Sequence, residues 1–213
     1  MSRRARVTYI QNEFPISDLD HASWNEGEAV RITTYWSGDH APPERFFEAR
    51  LLWSATSLYV RFHAEQFEPL VISPNPVLGT KTHGLWNRDV CEIYIAPDQN
   101  DRDRYFEFEV APTGEWIDLG IQFTPAGRLT DREYSSGMQT AAAIATSSVT
   151  TAIAVPWAAF RKMPNVGDVW LGNLCRCVGR DPDRGYLAWQ PTETSQPSFH
   201  VPSKFGEFEF VSI

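Results

Sequence analysis

Apolar and polar residues alternate with period two through most of the chain, and no stretch sustains the 3.6-residue period of an amphipathic helix. Phe47, Ala49, Leu51 and Trp53 form one apolar face. After a turn at Ala55-Thr56, Leu58, Val60, Phe62 and Ala64 form another, opposite Tyr59, Arg61, His63 and Glu65. This is the pattern of a hairpin with one face inward. The same alternation recurs at 90–96, 104–111, 115–123, 138–145, 149–155, 169–178, 186–190 and 207–211. Nine or ten short strands separated by turn residues predict an all-β chain: an antiparallel β-sandwich, jelly-roll-like, with one or two short helical turns. Pro156 to Phe160 suits one such turn, with proline at its first position, and Asp20 to Trp24 suits the other.

No linker or charge run divides the 213 residues, so residues 1–213 read as a single domain. A net charge of −8, with no basic face, argues against nucleic acid as a partner. The basic start Ser2-Arg3-Arg4-Ala5-Arg6 is followed by no apolar run, so neither a signal peptide nor a membrane span is expected and the chain as written reads as cytoplasmic. Cys91, Cys175 and Cys177 have no zinc spacing. Cys175 and Cys177 would share a strand face, poorly placed for bonding each other, so all three are expected as buried or semi-buried thiols.

Several segments carry candidate chemistry. Trp86 precedes a strand in the polar context of His83, Asn87 and Arg88. Its indole suits the C–H face of a sugar, or else packs its own loop. Near the C-terminus, Pro197 and Pro202 flank Phe199 and His200, which predicts a stiff loop presenting that aromatic pair to a ligand. Glu107 and Glu109 share one strand face, roughly 6.5–7 Å apart. That face reads as solvent-exposed, with the two carboxylates accepting hydrogen bonds from hydroxyls; paired-carboxylate glycoside hydrolysis is the lesser reading. Asp98, Asn100, Asp101 and Asp103 form an oxygen-rich turn suited either to calcium or simply to turning the chain. No HxH, HExxH or GxSxG occurs, so no metal centre of those kinds and no serine nucleophile is expected.

These segments, in their order, resemble the family-9 carbohydrate-binding modules and their DOMON-like relatives. The resemblance is carried by Ala49-Arg50-Leu51-Leu52-Trp53, Leu85-Trp86-Asn87-Arg88-Asp89-Val90-Cys91-Glu92, Tyr105-Phe106-Glu107-Phe108-Glu109-Val110, Ala154-Val155-Pro156-Trp157, Trp189-Gln190-Pro191 and Phe199-His200-Val201-Pro202-Ser203-Lys204-Phe205-Gly206. It implies a β-sandwich, often with structural calcium, that holds a terminal sugar between two aromatics without catalysis. Trp86 corresponds to one wall, and Phe199 stands where the family has a second tryptophan. Asp89 and Glu92 match the acidic positions after the first wall, while Glu109 stands where characterised sugar binders carry a basic residue. The expected ligand is a mono- or oligosaccharide, with Arg88, Glu92, Glu107, Glu109, Asn173, Arg176 and His200 as polar contacts. The alternative is a β-sandwich interaction or structural module, a homodimer among its forms. The family is usually secreted.

Overall fold

The structure, a computed structural model, describes residues 3–212. Among these residues thirteen strands form in chain order: β1 (Arg4–Tyr9), β2 (Ala29–Ile32), β3 (Phe47–Trp53), β4 (Ser57–Glu65), β5 (Val90–Ala96), β6 (Arg104–Val110), β7 (Trp116–Thr124), β8 (Gly127–Asp131), β9 (Gln139–Ile144), β10 (Ser148–Pro156), β11 (Val169–Val178), β12 (Gly185–Ala188) and β13 (Gly206–Val211). Their spatial order is β8-β7-β6-β5-β11-β13-β1-β3-β4-β10-β9, with β12 added to β11 and β2 to β3. The sheet curls into two facing layers, a β-sandwich. Helical structure among the described residues consists of short 3₁₀ turns, two of them at Ala22–Glu26 and Trp157–Phe160, close to the expected positions.

The 47–65 hairpin pairs Phe47 with Ala64 and Trp53 with Leu58. Its inward residues join Ile93, Ile95, Phe108, Trp170, Leu174, Phe208 and Phe210 from the opposite layer in the central core. Strand β1 was not anticipated. It runs parallel to both β13 and β3 and joins the two layers, with Ala5 and Val7 buried between them. The other pairings are antiparallel. Strands β2 and β8 were also unanticipated: β2 is short, and β8 is mostly exposed with no apolar alternation.

Each layer also has its outer face covered. Ile10, Phe14, Ile16 and Trp24 pack over Leu52 and Tyr59 of one layer. On the other, Phe199 and Phe205 pack over Tyr94, Tyr105, Ile121 and Cys175. Strands with both faces covered bury their outward residues too, so the polar half of the alternation in β5, β6 and β11 is inside the molecule. One close approach fixes a residue type in this layer: a Cβ on Gly172 would lie 2.1 Å from the Tyr94 carbonyl oxygen and 2.4 Å from the Phe208 ring. All three cysteines are free and buried. Cys175 and Cys177 lie under the outer cover and Cys91 in the central core.

Candidate functional site

The covered outer face of β5, β6 and β11 opens into a cavity of about 410 Å³. Antiparallel register builds its floor: β5 and β6 pair Glu92 with Glu109 and Tyr94 with Glu107. Residues of like parity on each strand then point the same way, so three glutamates and a tyrosine converge. One carboxylate oxygen from each of Glu92, Glu107 and Glu109 lies within 4.8 Å of the others. The three residues are 1%, 3% and 0% exposed.

The carboxylates are poorly compensated. The Tyr94 hydroxyl lies 2.7 Å from Glu92 Oε2 and 3.1 Å from Glu107 Oε1, with one proton to donate. Cys177 Sγ donates to Glu92 Oε1 at 3.3 Å. Among the described residues, Glu107 Oε2 and both Glu109 oxygens have no hydrogen-bond partner. Burial, then the charge of Glu107, pushes the Glu92 carboxyl up to about 7. Burial, then Glu92 and Glu107, raises Glu109 well above the usual carboxylate range, and burial also raises Glu107. The nearest cationic candidate is His200, whose Nε2 lies 3.8 Å from Glu107 Oε2. Burial, with Arg128 adding repulsion, lowers its pKa to about 3, so the ring is neutral near pH 7. His200 Nδ1 is hydrogen-bonded with the Tyr105 hydroxyl at 2.9 Å.

Trp86, in a 3₁₀ turn at Leu85–Asn87, lines the mouth and is 38% exposed. Its loop is tied down through Asp89, whose buried carboxylate accepts from the Val71 and Gly179 amides at 3.1 and 2.8 Å, and through Arg184, which donates to the Trp86 carbonyl at 2.9 Å. Phe199 lines the same cavity, but at 6% exposure it is not displayed as the proline-flanked loop suggested. The loop lies down on the sheet, and the Phe199 ring meets Tyr94 and Tyr186 at 6.4 and 6.3 Å between centroids. The reason is area: a large apolar ring gains more by covering the tyrosines than by standing in water. Likewise Glu107 and Glu109 lie beneath this cover and not on a solvent face.

The other expected contacts are dispersed. Asn173 shares the outer face but is fully buried, its side chain committed to the Gln190 carbonyl and amide at 2.9 and 2.8 Å. Arg176, three residues on, has opposite parity. It points into the sandwich interior, donating to the Arg45 carbonyl and to Gln66 Oε1, and does not line the cavity. Arg88 forms an ion pair with Glu115 at 3.0 Å and also lies outside the cavity lining. Asp98, Asn100, Asp101 and Asp103 form an exposed turn, in which Asp98 Oδ1 caps the Asn100 amide and Asp101 pairs with Arg104. Among the described residues, the 92–107–109 cluster is where three acidic, histidine or cysteine ligand atoms gather.

Tyr94, Tyr186, Arg128, Arg132 and Cys177 also line the cavity and were not anticipated. Tyr94 carried a signal, since it lies two residues after Glu92 on one strand. Arg128 and Arg132 did not, because β8 has no apolar periodicity to mark it.

The fold is shared with solved structures. A Bacteroides uniformis protein provisionally classed as carbohydrate-binding superposes with a TM-score of 0.77 at 17% identity, covering 99% of this chain and 100% of that one. A family 9 carbohydrate-binding module from Caldicellulosiruptor kristjanssonii, solved in complex with cellotriose and with glucose, matches with a TM-score of 0.70 at 16% identity. The match covers 99% of this chain and 95% or 97% of that one in the two complexes. No curated protein matches the chain. Residues 18–212 match the model of the carbohydrate family 9 binding domain-like family. With the match spanning nearly all of the sandwich, the chain belongs to the carbohydrate family 9 binding domain-like family.

Proposed function

We propose that this protein binds a mono- or oligosaccharide, without catalysis, in the cavity beneath the 197–205 segment. The observation that carries this reading is the cavity itself: in a chain of this family, a concave site of about 410 Å³ opens beside a partly exposed indole, with carboxylates at its floor. Its volume suits a small ligand. Trp86 supplies a flat apolar face for the C–H side of a pyranose, and Phe199 backs the cavity as the second aromatic wall. Glu92, Glu107 and the neutral His200 supply acceptors for hydroxyl protons. Glucose and cellotriose, the ligands of the Caldicellulosiruptor module, define the first compounds to try.

The test is titration with a panel of mono- and oligosaccharides at millimolar concentration, followed by tryptophan fluorescence and amide chemical shifts. Binding is expected to perturb residues 86, 92, 107 and 199–200, and Trp86→Ala is expected to abolish it. No response to any sugar would refute the proposal. Turnover of a chromogenic glycoside that Glu107→Gln removes would refute its non-catalytic part.

A further inference from the structure

We propose that Glu92, Glu107 and Glu109 take up one hard divalent cation, of the calcium type, at the floor of the cavity. This does not rest on sugar binding, since cation uptake is measured with no sugar present. Three oxygens no more than 4.8 Å apart always share a point within about 2.8 Å of each (4.8 Å divided by √3). Calcium sits about 2.3–2.6 Å from its oxygen ligands, so a small closing movement completes three bonds, and carboxylates able to bind through both oxygens supply further ones.

A second observation points to an occupant. Glu109 is fully buried, faces into the cluster and has no hydrogen-bond partner among the described residues for either carboxylate oxygen, nor has Glu107 for Oε2. Among the described residues, no lysine or arginine forms an ion pair with any of the three. Buried acceptors without donors are costly, and either a cation or shared protons must relieve them. The donor set favours a metal ion over a ligand ammonium: Glu92 and Glu107 line the cavity, whereas Glu109 is fully buried and outside its lining, so an ammonium would have to bring its carbon skeleton in to reach all three. All three ligands are oxygens, which favours a hard cation.

The experiment is terbium luminescence on chelator-stripped protein, excited through the aromatic residues, with calcium as competitor. Tyr94, hydrogen-bonded to Glu92, is placed to sensitise an ion held there. Terbium emission that calcium displaces is expected. Glu109→Gln and Glu92→Gln are each expected to weaken binding at least tenfold, while Asp101→Asn with Asp103→Asn in the exposed turn leaves it unchanged. Absence of sensitised emission from the unmodified protein would overturn the proposal, as would wild-type affinity in folded glutamine variants or loss of binding in the turn variant. Should the glutamine variants not fold, crystals of the unmodified protein soaked in terbium decide it. An anomalous peak among the three carboxylates supports the site, and a peak elsewhere or none refutes it.

Discussion

Trp86 and Phe199 line one cavity, yet the structure assigns them different work, and paired alanine substitutions separate it. Phe199 is 6% exposed and Trp86 38%. Burying an aromatic side chain removes about 150–250 Å² from water. At about 25 cal/mol per Å² this is about 4–6 kcal/mol, and a denatured chain that is itself partly compact lowers the figure to about 3 kcal/mol. Measured phenylalanine truncations in cores cost about 3–5 kcal/mol, which agrees. Phe199→Ala should therefore cost about 3 kcal/mol. At about 2–4 °C per kcal/mol for a chain of this size, the thermal midpoint should fall by roughly 6–12 °C. Trp86, 38% exposed, should cost about 2 kcal/mol on the same reckoning. Thermal and urea denaturation of both variants measure the difference. The placement of Phe199 as a covering residue of the sheet is refuted if its alanine variant melts within 2 °C of the unmodified protein, or at or above the midpoint of Trp86→Ala.

Gly172→Ala drives a Cβ to 2.1 Å from the Tyr94 carbonyl oxygen, a backbone atom with little freedom to retreat, so a loss of more than about 3 kcal/mol is expected. Urea denaturation checks it, and a variant within about 1 kcal/mol of the unmodified protein would contradict the close packing of β5 on β11. The acidic floor makes the metal-free protein pH-sensitive with a definite sign. Unfolded, Glu92 loses its proton near 4.5, whereas folded it keeps it to about 7. Below about 6.5 the buried neutral His200 opposes this, because its imidazole keeps a proton to about 6.5 unfolded and only to about 3 folded. Above about 6.5 the carboxyls act alone, so stability in chelator should fall as pH rises from about 6.5 through 7, and go on falling because Glu109 is raised well above the carboxylate range. Urea midpoints across this range measure the trend; a rise in stability over the same window would overturn the reading of a buried, uncompensated carboxyl.

Period-two alternation was enough to recover the sandwich, because an inward apolar face leaves a mark at every second residue. The 47–65 hairpin and the strands at 90–96 and 169–178 are where the alternation put them. It could not show that the outward faces are covered as well. That covering comes from the excursions at 10–24 and 197–205, whose destination depends on the whole chain and not on local pattern. For this reason Phe199 looked exposed, and Glu107 and Glu109 looked solvated. Strand β8 was invisible for the opposite reason, since nothing apolar marks it, and Arg128 and Arg132 went with it.

Parity would have removed one candidate and register would have assembled the three glutamates. Asn173 and Arg176 are three residues apart on one strand, so they point to opposite faces and cannot both meet a ligand on the same side. The floor of the cavity needed one further quantity. Across the 97–103 connection, Ile95 pairs with Phe106, and that single pairing fixes Tyr94 opposite Glu107 and Glu92 opposite Glu109. A slip of one residue along β6 would send both glutamates into the central core and Phe106, Phe108 and Val110 to the cavity, which the apolar core could not accommodate. The same hydrophobic pattern that builds the sandwich therefore also forces the three carboxylates together, and their convergence follows from packing on the far side of the sheet.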